Sequence, residues 1–487
     1  MSLTFQSLIR TTGLALILVS LAMLPSIAVS VIYKEYAIAA AFAIVCPVAF
    51  VLGFLMCKLI RRVSRRLRIS DGLLMVTWGW IAAALAGAVP FVLSGCVPSY
   101  VDAFFEACSG FTTTGASVIT DIEALPHGLL FWRSTCSWLG GICILLIAIA
   151  IFPSLGLSGH SIISFETEGP SLAQPTPRVR SLAKILIRLY LIFTACEIVL
   201  LCLGGMGVFD AFIHSFGSVS TGGFSNYSDS IAHFDSPYIR AVMTIFMVIC
   251  GVNFNLYYQT VRRGPSALTG DSELRLYLIL VFAPAALLFC ELFGHGLIRG
   301  VVPALTDSLF QSTSMLTTTG FTIGDYQLWP QMCQVTLLIL MFVGACSSST
   351  GGGIKVIRFV IVAKLIRHGV SMRLHPQFYE AIKVNKRSVA PDIVSGVCNY
   401  VFLYVIMAFI GTLLISFETI DMTTAFTVVV SCIGNIGPAF GTIGAAGCYA
   451  GLSAFAKILL SLLMIAGRLE LYTFFILFSP HYWTQRY

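Results

Sequence analysis

Apolar residues come in long runs, broken by short polar stretches, along the whole chain. The runs fall at roughly 11–32, 36–60, 72–95, 129–153, 183–208, 236–258, 274–297, 331–366, 392–417 and 450–479, and the eighth is interrupted. A membrane-spanning α-helix needs about 20 such residues, so the pattern predicts ten spans. The first run follows Arg10 and resembles a signal peptide at first sight. Its apolar stretch outlasts a typical signal core, and only Tyr33, Lys34 and Glu35 separate it from the next run, so it reads as an uncleaved span. Composition agrees. Of 487 residues, 57% are hydrophobic and 10% charged, with mean hydropathy +0.91. Ordinary soluble domains carry about a quarter charged residues, so lipid must be the solvent here. Fifteen cysteines, among them Cys46, Cys57, Cys143 and Cys202, sit mostly inside apolar runs without a CxxC pair. They read as small buried hydrophobes rather than a disulfide or metal framework.

The net charge of +7 gains meaning from its placement. Lys58, Arg61, Arg62, Arg65, Arg66 and Arg68 follow the second run, and Arg178, Arg180 and Lys184 the fourth. Arg262, Arg263 and Arg275 follow the sixth, and Lys364, Arg367, Arg373, Lys383, Lys386 and Arg387 the eighth. Every second loop is basic, which places both termini in the cytoplasm. The alternate loops carry Asp121, Glu123, Asp229, Asp235, Asp325 and Glu418, either as ordinary solvated charge or as a modest attractor of cations. Basic inner loops suit anionic lipid or an acidic protein face, and nucleic acid is not an expected partner.

Four sixteen-residue segments align without a gap: DAFFEACSGFTTTGAS from Asp102, DAFIHSFGSVSTGGFS from Asp210, DSLFQSTSMLTTTGFT from Asp307 and TAFTVVVSCIGNIGPA from Thr424. Each lies between two runs on the outward side. Each holds an apolar stretch too short to cross a bilayer, then small residues around a glycine. The chain is expected to be an all-α polytopic membrane protein: two leading transmembrane helices, then four span–pore-loop–span repeats in pseudo-fourfold arrangement around one pore. The divisions are 1–70, 71–182, 183–272, 273–390 and 391–487.

A half-length helix returning as extended backbone is tolerated in a membrane only when buried in protein or lining water. Asp102, Asp210 and Asp307 are placed by the pattern at helix N-termini, where a carboxylate complements the dipole. Four tetrads then offer backbone carbonyls that together replace the water shell of a cation. The first is Thr112, Thr113, Thr114 and Gly115, and the second Ser220, Thr221, Gly222 and Gly223. The third is Thr317, Thr318, Thr319 and Gly320, and the fourth Gly434, Asn435, Ile436 and Gly437. Glycine suits backbone conformations that a Cβ obstructs. One TTTG alone would read as a capped turn. Four in register do not.

The eighth run breaks at Gly344-Ala-Cys346-Ser347-Ser348-Ser349-Thr350-Gly351-Gly352-Gly353, with Leu337–Val343 and Ile354–Val362 setting the break at membrane depth despite Lys355 and Arg358. The last run contains Arg468, which either snorkels to the inner surface or faces the bundle interior. Lys457 reads as snorkelling outward.

These residues resemble the Trk/Ktr/HKT potassium-transporter superfamily, in particular membrane subunits of the TrkH/TrkG type. The resemblance rests on the four loops, GACSSSTGGGIKVIR from Gly344, NIGPAFG from Asn435 and AGRLELY from Ala466, and spans residues 8 to 480. Two leading spans favour the Trk branch over the shorter Ktr branch. The resemblance implies a potassium filter at the four tetrads, since a serine at the first-loop glycine accompanies sodium transport in some plant members and Gly115 is retained. It implies that the Gly344–Gly353 stretch obstructs the pore below the filter, with Arg468 facing the interior, although Ala345 and Ser348 stand where relatives commonly carry glycine. It further implies a bacterial inner-membrane location, a homodimer, potassium as transported ion with no organic cofactor, and a cytoplasmic TrkA-like ring binding NAD or ATP. A proton- or sodium-coupled symporter and a sodium-transporting relative remain alternatives.

Other chemistry is thinner. An embedded enzyme would need HExxH, GxSxG with a membrane histidine or DDxxD, and none is present. No Walker A or aspartyl-phosphate motif supports nucleotide hydrolysis on this chain. Alternating-access carriers usually show inverted pairs of broken helices rather than four pore loops. Glu197 and Glu291 are candidate proton sites for which interfacial placement is the commoner explanation. Arg133, with Trp138, Gly140 and Gly141, matches the family pattern and is expected at the outer end of the fourth span. His214 is expected to pack on a pore helix.

Overall fold

The structure, a computed structural model, describes residues 3–60, 69–150, 177–375, 381–385, 387–445 and 447–475. The basic cluster Arg61–Arg68, Lys386 and the ends of the fourth and tenth runs lie outside them. Two long helices come first, α1 (Leu3–Ile32) and α2 (Tyr36–Leu59), packed antiparallel through facing glycines. A Cβ on Gly13 would meet the Gly53 carbonyl at 2.7 Å, so the two backbones run in close contact.

Four units follow. The first is α3 (Ile69–Leu93), short α4 (Tyr100–Phe111) and α5 (His127–Ala150); the second is α6 (Pro177–Leu203), short α7 (Val208–Val219) and α8 (Pro237–Gly251). Helices α9 (Phe254–Arg263) and α10 (Ser266–Thr269) lead to the third, α11 (Ser272–Gly294), α12 (Val301–Leu316) and α13 (Gln331–Phe342), continued beyond a break by α14 (Val356–Leu374). The fourth is α15 (Pro391–Ile415), α16 (Met422–Gly434) and α17 (Ala454–Arg468), with a last turn α18 (Tyr472–Phe475). A two-strand hairpin, β1 (Lys383–Val384) and β2 (Arg387–Ser388), precedes α15.

The packing is cyclic. Short helix α4 touches α3 and α5 of its own unit and α17 of the fourth; α7 touches α6, α8 and α5. Likewise α12 touches α11, α13 and α8, and α16 touches α15, α17 and α13. Each short helix is thus wedged between its own spans and the second span of the preceding unit, which closes a pseudo-fourfold ring. The apolar exterior carries exposed Leu18, Phe54, Phe282, Phe402 and Phe409, as lipid contact requires.

Two runs expected to be continuous are broken. The sixth bends by 85° between α8 and α9. Asn253 restarts the helix there, its side chain accepting from the Asn255 amide at 2.9 Å, while Gly251 and Phe254 turn their backbone groups to residues 346 and 348. The tenth ends at Arg468, because Glu470 and Leu471 adopt φ of 63° and 48°. That turn carries the Glu470 carboxylate to Arg358, so helix continuity yields to a buried ion pair.

Candidate functional site: a ring of four loops below four short helices

The short helices end where the tetrads begin. Asp102 and Asp210 lie in first turns as expected. Asp307 does not: α12 starts at Val301, with Pro303 in its first turn where a missing N–H is harmless, which leaves Asp307 in the second. There it pairs with Arg240 at 2.9 Å. The fourth repeat, which has Thr424 at the aligned position, takes its carboxylate from Asp421. Asp421 caps α16 by accepting the Thr424 amide at 3.0 Å and the Thr424 hydroxyl. Those two bonds hold its exposed carboxyl below the usual carboxylate range.

All four loops take one conformation. The second residue of each tetrad is left-handed: Thr113 at φ 53°, Thr221 at 55°, Thr318 at 58° and Asn435 at 56°. The fourth is glycine at positive φ, Gly115 at 79°, Gly223 at 65°, Gly320 at 79° and Gly437 at 97°. The third amide returns to its helix: Thr114 to Ser109, Gly222 to Gly217, Thr319 to Ser314 and Ile436 to Ser431, at 2.7–2.9 Å. The carbonyls of those third residues accept no hydrogen bond among the described residues.

The loops close on one another. A Cβ on Gly115 would lie 2.5 Å from the Gly222 carbonyl oxygen, one on Gly223 2.0 Å from that of Thr319, one on Gly320 1.9 Å from that of Ile436, and one on Gly437 2.5 Å from that of Thr114. Each loop's glycine therefore abuts the third carbonyl of the next loop, through all four and back to the first. The chain places four equivalent carbonyls around one axis, which is the arrangement that binds a dehydrated cation.

Below the ring lies the Gly344–Gly353 segment, buried throughout. Gly352 N donates to Thr318 Oγ1 at 2.6 Å, and a Cβ on Gly352 would meet the Gly434 carbonyl at 2.3 Å. Ser348 has φ 52°, a left-handed conformation in a residue other than glycine. Ser349 Oγ bonds to Cys346 O at 2.5 Å, and Lys355, buried, donates to Gly351 O. Arg468, 3% exposed, donates to Thr350 O at 2.7 Å, with its Nε and Nη2 unpartnered among the described residues. The interior placement is therefore the correct alternative for Arg468, and the loop and the arginine share one space.

Several supporting residues escaped the sequence reading. Glu273, at the start of α11, accepts from Ser347 N at 2.5 Å, Ser347 Oγ at 2.8 Å and Ile357 N at 3.2 Å. In sequence it looks like an ordinary acid in a helix's first turn. Glu106, 1% exposed, pairs with Arg133 at 2.6 Å, so Arg133, in the second turn of α5, is buried there and held by a pore-helix carboxylate. Lys457 is buried and pairs with Asp102 at 2.7 Å instead of snorkelling. Glu197 is wholly buried against the Ser218 hydroxyl, not interfacial, whereas Glu291 is part-exposed beside His295. His214 lies on α7, bonded to Asp210 O and Ser225 Oγ.

A polytopic helical bundle with four re-entrant helices converging on one axis defines a membrane transport protein. The chain belongs to the TrkH family, described as cation transport protein, whose family model matches residues 35–485. It is 33% identical over 484 residues to the Trk system potassium uptake protein TrkH of Salmonella typhimurium, covering 99% of this chain and 100% of that one. It is 33% identical over 474 residues to the Trk system potassium uptake protein TrkG of Escherichia coli, covering 97% of each. Its structure is similar to that of the potassium transporter TrkH from Vibrio parahaemolyticus, with TM-score 0.90 and 32% identity over 98% of this chain and 99% of that one.

Proposed function

We propose that the protein takes up potassium across the bacterial cytoplasmic membrane through the four tetrads, which form a selectivity filter. The observation that carries this reading is the cyclic contact of each loop glycine with the third carbonyl of the next loop. Such a ring offers dehydrated-ion coordination without side-chain charge. The potassium-uptake names of the relatives support potassium as the ion. The Gly344–Gly353 segment and Arg468 act as the gate. The contact of Gly352 with the third loop, and the Arg468 bond to Thr350, support a path shut directly below the filter. Both termini are cytoplasmic, the protein works as a homodimer, and a TrkA-like nucleotide-binding ring docks on the basic inner loops. Purified protein in liposomes should pass rubidium far better than sodium. Equal fluxes of the two ions would sink the proposal.

A further inference from the structure

Beyond each loop glycine, the carbonyl of the second residue is tied to the preceding unit of the ring. Arg133 Nη1 of the first unit donates to Ser225 O of the second at 3.0 Å. Ile231 N of the second donates to Thr322 O of the third at 3.0 Å. Tyr326 Oη of the third donates to Ala439 O of the fourth at 2.6 Å. Tyr449 N of the fourth donates to Ser117 O of the first at 2.7 Å, which closes the circle. Every junction has a second tie as well: Ser228 N to Glu123 Oε1 at 3.3 Å, Thr322 N to Ser230 Oγ at 3.3 Å, Gly441 N to Gln327 Oε1 at 2.8 Å and Ser117 N to Gly447 O at 3.2 Å. The donors are a guanidinium, a phenol and two amides, so the repeat in contacts has no repeat in sequence.

We propose that these ties form a collar that fixes the distance between neighbouring filter loops and thereby sets ion selectivity, with Arg133 and Tyr326 as positioning residues. The inference rests on reading the four tetrads as the filter. A ring of converging carbonyl dipoles repels itself and relaxes outward unless the backbone is held from behind. Each tie grips a carbonyl two residues past the glycine that abuts the next loop, close enough to transmit a small displacement. Arg133 holds the first junction more firmly than one hydrogen bond does. Its guanidinium pairs with Glu106, lies 4.1 Å from the centre of the Phe224 ring, and reaches Ser225 O. Glu106 in turn accepts from Ser117 Oγ at 3.1 Å and Val118 N at 3.0 Å. The outward limbs of loops one and two are thus joined through one buried pair whose charges offset each other.

Tyr326→Phe removes one hydroxyl and nothing else, and Arg133→Lys keeps the charge but lacks the guanidinium fork. Each variant should lower the rubidium-to-sodium flux ratio in liposomes by about threefold or more, the scale of one hydrogen bond. Elution as wild type in size-exclusion chromatography separates that change from misfolding, and Tyr326→Phe decides alone should Arg133→Lys fail to fold. Wild-type ratios in well-folded variants would overturn the collar. Gly115→Ser, run alongside, separates the two readings. A shifted ratio there with none in the collar variants rejects the collar only, whereas no shift in any of the three rejects the filter as well.

Discussion

A methyl group has no place at Gly320 or Gly115, but for different amounts of overlap. A Cβ at Gly320 would sit 1.9 Å from the Ile436 carbonyl oxygen and 2.9 Å from Pro438 Cδ; at Gly115 the nearest atom is the Gly222 carbonyl oxygen at 2.5 Å. Both residues have φ of 79°, so the left-handed strain on an L-residue, about 1–2 kcal/mol, is common to both. What differs is the push on the neighbouring carbonyl. Gly115→Ser should therefore conduct with a raised sodium-to-rubidium ratio, and Gly320→Ser should lose rubidium flux more steeply. Equal behaviour of the two variants in liposomes would show that the carbonyl contacts are not what the glycines serve. Arg468 poses the opposite case, a group whose removal should increase flux. A guanidinium does not deprotonate, and in a low-dielectric passage its charge repels a cation far more than in water. Arg468→Ala also frees the Thr350 carbonyl. Basal rubidium flux should rise with the rubidium-to-sodium ratio unchanged, and a wild-type basal rate in a folded variant would make Arg468 merely structural.

Among elements, the broken eighth run shows what sequence reveals and what it hides. Four glycines and three serines in ten residues announce the break, and four aligned tetrads announce the loops, because both signals are local. The bend between α8 and α9 leaves only a faint mark, Gly251, Asn253 and Asn255 inside an otherwise apolar run. It exists because Cys346 N bonds to Gly251 O and Phe254 N to Ser348 O, a pairing with a segment about a hundred residues away. The same holds for the end of α17, where Glu470 turns toward Arg358, and for Lys457, whose partner Asp102 is 355 positions distant. Glu273 belongs here too, as the carboxylate that grips both ends of the loop through Ser347 and Ile357. Losing that acceptor leaves two buried amides unpaired, at about 1–3 kcal/mol each. Glu273→Ala should loosen the loop and raise basal rubidium flux, while Glu273→Gln, which keeps one acceptor oxygen, should fall between it and wild type. A Glu273→Ala variant that conducts as wild type would show that the loop is held by its other contacts.

At the scale of the whole molecule, the fold separates two kinds of surface. Asp102, Asp210 and Asp421 stand at the starts of short helices, and among the described residues the cations of the alternate loops stand toward the opposite ends of the long helices. Arg275, Arg367 and Arg373 are exposed there. An exposed cluster of one sign contributes little to folding, because surface pairs are worth about 0–1 kcal/mol, but it raises the encounter rate with an oppositely charged partner. Such attraction is screened over about 10 Å at 0.1 M salt. The proposed docking of a nucleotide-binding ring on this face should therefore weaken with salt and with loss of individual cations. Arg367 and Arg373 project from α14, which begins at Val356 just after the proposed gate segment, so a partner seated on them can pull on that segment through the helix and the short link before it. The double variant Arg367→Gln, Arg373→Gln should retain partner-free rubidium flux, co-purify with less ring in mild detergent, and lose part of the nucleotide response. Full co-purification and a full nucleotide response in the double variant would place the docking surface on other loops. A wild-type protein whose flux ignores both ring and nucleotide would remove the partner from the mechanism altogether.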